Sequence, residues 1–212
     1  MNAPGELVFA PLGGVGEIGM NLSIYGLGDE RKRTWLIVDV GVSFANEENL
    51  PGIDLVFPDI RFLMEERRNI AGIVLTHAHE DHFGALLDLW PKLQVPVYAT
   101  PFTAALFEAK RLGEREAPEV PVKEVALGSR FQVGPFDIEL CSVAHSIPES
   151  NALIIRTRRK LIASARALEE HGTPPPGVET PQAYHQRSGG IVLPRSEDWW
   201  ESTKALREKF EA

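Results

Sequence analysis

Residues 75–82, Leu75-Thr76-His77-Ala78-His79-Glu80-Asp81-His82, constrain this chain more than any other stretch, because they put three imidazoles and a carboxylate into a six-residue window. The preceding run Ile70-Ala71-Gly72-Ile73-Val74-Leu75 is short, apolar and β-branched, as a buried strand is. The following run Phe83-Gly84-Ala85-Leu86-Leu87-Asp88-Leu89-Trp90 has helical spacing. The cluster therefore sits on a strand-to-helix turn. There His77 and His79, two residues apart, can aim at one point, while Asp81 and His82 open the helix and point at a second one nearby. Neutral imidazole and carboxylate suit zinc and other divalent transition ions. Water acidified by such an ion to a pKa of about 7 is a hydroxide nucleophile at neutral pH.

A polypeptide with this pattern must be globular and large enough to bury a core. The chain has 212 residues, 43% of them hydrophobic, enough for one core or for one domain with an appendage. No run of about 18 apolar residues occurs, and Met1-Asn2-Ala3-Pro4-Gly5-Glu6 lacks a basic region leading into an apolar one. Neither membrane insertion nor secretion is expected, so the cytoplasm is the predicted location. The single Cys141 has no disulfide partner in the chain, and its alternating context predicts a core thiol on a strand. Net charge is −8, unevenly spread: residues 1–155 hold 12 Lys+Arg against 22 Asp+Glu, or −10, leaving 10 against 8, or +2. An acidic metal-bearing half speaks against strong nucleic-acid binding by these residues alone, although two bound cations would offset part of that charge.

Strand and helix signals interleave along the chain, which predicts an α/β fold. Strands are expected at Leu7–Ala10, Asn21–Tyr25 with a hairpin signal at Gly26–Asp29, and Thr34–Val38. An edge-like strand is expected at Val95–Thr100, then strands at Val120–Val125, Arg130–Val133 and Phe136–Val143. Helices are expected after Asp59, with Ile60, Leu63 and Met64 facing inward, and over Pro101–Leu112. Gly14, Gly16 and Gly19 form a G-x-G-x-x-G with Asp39 about 20 residues on, as in a dinucleotide fingerprint. Here the glycines lead into a strand instead of a helix N-terminus, so they read as a tight bend beside the metal cleft.

His77-x-His79-x-Asp81-His82 resembles the signature of the metallo-β-lactamase superfamily. Gly13-Gly14-Val15-Gly16-Glu17-Ile18-Gly19-Met20-Asn21, Val38-Asp39-Val40-Gly41, Pro51-Gly52-Ile53-Asp54 with Phe57-Pro58-Asp59, and Ala144-His145-Ser146-Ile147-Pro148-Glu149-Ser150 narrow the likeness. In this order they are similar to the opening part of the ribonuclease J family, of the β-CASP branch, over residues 5–157. The resemblance implies a four-layer αββα sandwich and a site for two zinc ions. His145 would complete a three-histidine site with His77 and His79, and Asp81 and His82 would hold the second metal. Asp81 would also orient or deprotonate the attacking water, while Asp39 would accept the ring N–H of a ligand histidine. The implied reaction is RNA phosphodiester cleavage by metal-bound hydroxide.

After Asn151-Ala152-Leu153-Ile154-Ile155 the family pattern is not continued. The bridging Asp of a Thr-Gly-Asp segment, the distal His and the β-CASP domain have no match. The expectation is thus an incomplete sandwich over residues 1–157, with a separate, mostly helical appendage over 158–212. The appendage resembles the C-terminal end of Rieske-type ring-hydroxylating oxygenase large subunits, without the Rieske ligands. Within it Leu161–Leu168 predicts a helix, Gly190–Leu193 a strand, and Ser196 onward a helix with Trp199, Thr203, Leu206 and Phe210 on one face. His171 and His185 read as surface residues. With only Asp81 and His82 at the second position, one zinc is expected in place of two. Strand faces left bare unless Trp199 and Trp200 cover them predict marginal stability or homo-oligomerisation. Three outcomes remain open at this level: a truncated ribonuclease J-like hydrolase, a small-substrate hydrolase of the same fold, and a non-catalytic metal-binding remnant.

Overall fold

A computed structural model of the protein describes residues 6–16, 18–29, 32–45 and 52–157, together with the backbone of 161–164. The sequence features assigned to 165–212, including His171, His185, Trp199 and Trp200, lie outside the described residues.

The chain opens with antiparallel β1 (Glu6–Gly13) and β2 (Leu22–Asp29), followed by β3 (Lys32–Val38), which pairs with β2. A two-stranded ribbon, β4 (Ser43–Phe44) and β5 (Leu55–Val56), leads to the short helix α1 (Arg61–Glu65). Then come β6 (Ile70–Val74), α2 (Glu80–Phe83), α3 (Leu86–Leu93), β7 (Val97–Ala99) and α4 (Pro101–Gly113). The remaining strands are β8 (Val122–Glu124), β9 (Arg130–Val133), β10 (Phe136–Ser142), β11 (Asn151–Arg156) and β12 (Leu161–Ser164). They form a six-stranded mixed sheet, β1-β2-β3-β6-β7-β8, and a four-stranded antiparallel sheet, β12-β11-β10-β9.

Two apolar layers follow from side-chain alternation in β3. Trp35 and Ile37 face the helices, meeting Leu63, Leu86, Leu89, Leu93 and Phe107. Leu36 and Val38 point the other way, with Val74, against Phe136, Ile138, Leu140, Leu153 and Ile155 of the second sheet. A strand apolar on both faces is what a central strand covered on both sides requires. The described residues thus form an α/β/β stack, in which helices cover the six-stranded sheet. No helix among them is long and apolar enough to cross a membrane.

Several sequence expectations need correction. Met64 is 47% exposed, because the five-residue α1 presents only Leu63 to the core, with Ile60 buried just before it. β7 lies between β6 and β8, so it is an interior strand, and Pro96 precedes the ladder without interrupting it. Gly26 and Gly28 belong to β2, which runs to Asp29 opposite Lys32. Gly26 is needed there because a Cβ would lie 2.5 Å from the Trp35 ring. Residues 161–164, expected to be helical, pair with β11, Leu161 opposite Arg156 and Ser164 opposite Leu153. Cys141 is half-buried on β10 and is not a core thiol.

Leu36 is fully buried between the sheets. Leu36→Ala should therefore cost about 3 kcal/mol, within the usual range for a core truncation, whereas Met64→Ala should stay within about 0.5 kcal/mol. Urea unfolding midpoints at constant slope measure both.

Candidate metal centre

β3 and β6 are parallel neighbours, so their C-terminal ends open on the same edge of the sheet. Asp39 follows one end, and Leu75 and Thr76 lead from the other into the histidine turn. His145 arrives from the second sheet, in the loop between β10 and β11.

His77 Nε2 and His79 Nδ1 are 3.1 Å apart, and His145 Nε2 lies 3.1 Å from the same His79 nitrogen. The three ligand atoms all lie within 4.8 Å of one another. A tetrahedral zinc with Zn–N bonds of about 2.0–2.1 Å holds its nitrogens about 3.3 Å apart, close to the two 3.1 Å separations, so this donor set could hold one divalent cation. His77 is buried, His79 half-buried and His145 exposed, which leaves the cluster reachable from solvent. His77 Nδ1 contacts the Thr76 hydroxyl at 2.9 Å, directing Nε2 into the cluster. Burial, with the nearby His82 charge, drives the His77 pKa down to about 3, so its ring is neutral at neutral pH.

A second group stands beside the first, its His82 ring centroid 4.0 Å from that of His77. His82 Nδ1 lies 2.7 Å from Asp39 Oδ2, and His82 Nε2 lies 3.4 Å from Asp81 Oδ2. Burial opposes charge on His82, but the Asp39 carboxylate by charge and hydrogen bond, and then Asp81, outweigh it and raise its pKa to about 9. Asp39 also accepts the Thr76 N–H at 2.8 Å and the Thr76 hydroxyl at 2.8 and 3.0 Å.

The glycine-rich bend ends in the same place. Asn21 donates its side-chain N–H groups to the Asp81 carbonyl at 2.8 Å and to Asp81 Oδ2 at 2.9 Å. Backbone bonds clamp the start of α2 from both sides: Asn21 N–H to Asp81 O, Val40 N–H to His82 O and Val42 N–H to Glu80 O, at 3.0, 2.7 and 3.1 Å. Gly41 makes this approach possible, since a Cβ there would lie 1.7 Å from Asp81 O.

The structure thus gathers His77, His79 and His145 into one cluster and places Asp81 and His82 next to it, with Asp39 behind His82. Asn21 and Thr76 were given no role by sequence reasoning. Thr76 precedes a histidine and Asn21 ends a glycine run, but neither residue type signals a ligand. Only the fold shows what they touch.

Two predictions follow from this geometry. In the metal-free protein His77 titrates below its unfolded value of 6.5 and His82 above it. Stability from His77 is present above pH 6.5 and is lost as pH falls toward 3, because the unfolded chain binds the proton first. Stability from His82 is full below 6.5 and is lost as pH rises through 9. Melting temperature in the presence of a chelator should therefore peak near pH 6.5 and fall on both sides; a flat profile from pH 6.5 to 9 would contradict the His82 assignment. Gly41→Ala should displace Asp81 and lower the melting temperature by several degrees, roughly what a 1–3 kcal/mol overpacking does to a domain of this size.

A family model described as the Beta-lactamase superfamily domain matches residues 34–165. The chain is 60% identical to ribonuclease J of Sinorhizobium meliloti over 153 residues, which are 72% of this chain and 27% of that protein. It is 39% identical to ribonuclease J of Thermus thermophilus over 193 residues, 86% of this chain and 33% of that one. Against ribonuclease J of Helicobacter pylori the identity is 34% over 197 residues, covering 91% and 28%. The chain thus spans about a third or less of the length of the curated relatives it matches. A metallo-β-lactamase fold protein from Bacillus subtilis superposes with a TM-score of 0.50 at 16% identity, covering 73% of this chain and 59% of that one. A protein of unknown function from Enterococcus faecalis gives 0.53 at 19%, covering 74% and 42%. The fold, the histidine cluster and the family model agree: the chain belongs to the metallo-β-lactamase branch of the β-lactamase superfamily, and the relatives that it matches are ribonucleases J.

Proposed function

We propose that this chain carries the metal-binding part of a ribonuclease J-like hydrolase that cleaves RNA phosphodiester bonds, with zinc as its cation. The observation that carries this reading is the convergence of His77 Nε2, His79 Nδ1 and His145 Nε2, with 3.1 Å separations, beside a solvent-reachable Asp81. His77, His79 and His145 would hold the cation. When bound, it supplies an acidified water and positive charge that stabilises negative phosphoryl oxygens.

The chain's own groups have distinct tasks. Asp81, its side chain 26% exposed and its carboxylate held by Asn21, is placed to orient an attacking water and accept its proton. Asp39 fixes the His82 ring through Nδ1, directing Nε2 toward Asp81. Asp81 and His82 are two protein ligands where a catalytic zinc ordinarily has three, so the reading is one tightly held cation per chain.

The test combines elemental analysis with cleavage of an end-labelled RNA. The expected result is about one zinc per chain, with cleavage lost on chelation and reduced by more than about a hundredfold in His77→Ala, beyond the range for losing an outer partner of a ligand. Hydrolysis of a small ester or thioester with RNA untouched would move the assignment to a small-substrate hydrolase. One tight metal without turnover would make the chain a metal-binding module.

A further inference from the structure

The cation cluster depends on an exposed residue. His145 stands in the irregular segment between β10 and β11, and its ring meets those of His77 and His79 at centroid distances of 4.8 Å. The backbone that carries this ring is set by how the loop is tied down. Within the loop, Val143 N–H bonds Ser150 O at 3.0 Å and the Ser150 hydroxyl bonds Ile147 O at 3.0 Å. Toward the histidine turn, Asn151 N–H reaches Thr76 O at 3.2 Å. Toward the helical layer, Glu149 Oε2 accepts the backbone N–H of Phe102 at 2.8 Å, across 47 positions of sequence.

That last bond has an unusual setting. α4 has thirteen residues, and its N-cap Thr100 makes no side-chain cap hydrogen bond. The Thr100 hydroxyl turns instead to Thr103 Oγ1 at 3.2 Å. One orphan N–H group at the positive end of the helix, that of Phe102, is met from outside, by a carboxylate on the loop that carries His145. Glu149 also holds a left-handed backbone, φ 57°, which favours glycine or asparagine over glutamate. This conformation costs on the order of 1 kcal/mol for a residue other than glycine.

We infer that Glu149 is a positioning residue for the metal centre: by capping α4 it fixes the β10–β11 loop and so places His145 Nε2 against His77 and His79. The inference rests on the three-histidine reading given above. Among the described residues the Glu149 carboxylate bonds the loop to the helical layer, and its loss loosens the backbone that carries His145. His77 and His79, on the turn after β6, keep their place without it. Glu149→Gln retains an acceptor oxygen but not the charge, so it restores part of what Glu149→Ala removes.

The experiment measures zinc affinity by competition with a chromophoric chelator for the wild type, Glu149→Ala, Glu149→Gln, His145→Ala and the double variant His145→Ala/Glu149→Ala, with melting temperatures alongside. Glu149→Ala is expected to weaken zinc about tenfold, the lower end of what outer partners of metal ligands contribute, and Glu149→Gln by less. In the His145→Ala background the same change should have no further effect beyond about twofold, because its influence passes through a ligand already removed. An equal loss in both backgrounds would make Glu149 a general structural residue and overturn the inference. So would unchanged affinity with a lowered melting temperature, which would reduce it to a helix cap. Absence of zinc uptake by the wild type would instead overturn the metal reading itself, and this inference with it.

Discussion

The Asp39 carboxylate is the interaction on which the rest of the site depends. It follows β3 with φ at 62°, a conformation costing on the order of 1 kcal/mol outside glycine. It is held there by hydrogen bonds from the Thr76 N–H, the Thr76 hydroxyl and His82 Nδ1. Those partners belong to the end of β6 and to α2, so a single side chain ties two parallel strand ends to the helix that carries Asp81 and His82. His77 is the residue after Thr76, and its Nδ1 contacts the same hydroxyl. The orientations of His77 and of the neighbouring His82 therefore share one origin.

Around this core, glycine permits what side chains would prevent. Gly41 lets the loop after β3 lie against the start of α2, and Asn21 closes the other side with its amide. The clamp is made of backbone bonds and half-buried polar contacts. The cluster itself, by contrast, ends in the exposed His145, brought from another sheet. Rigidity on one side and access on the other are what the proposed hydrolytic site requires.

Much of this was legible in the residues. The strand before His77 and the helices after it follow from apolar periodicity, and the grouping of His77, His79 and His145 follows from the family likeness. The glycine run was readable as a bend beside the cleft, but its terminal Asn21 was not readable as a partner of Asp81, because that contact spans sixty positions. Met64 has the spacing of an inward residue, but α1 is too short to turn it inward. Val97–Ala99 looks like an edge strand because Pro96 precedes it, yet β8 pairs on its far side. Leu161–Ser164 contains helix formers, and pairing with β11 overrides that propensity. Local pattern identified elements; long-range hydrogen bonding decided how they were used.

In the proposed site three imidazole nitrogens, and no other kind of protein donor, hold the cation. X-ray absorption at the zinc edge of the loaded protein tests this directly. The geometry predicts three imidazole scatterers at about 2.0 Å, with the multiple-scattering pattern of histidine rings and one further light atom. A first shell of oxygen with one imidazole or none would contradict it, and would mean that His77, His79 and His145 converge for a reason other than metal binding.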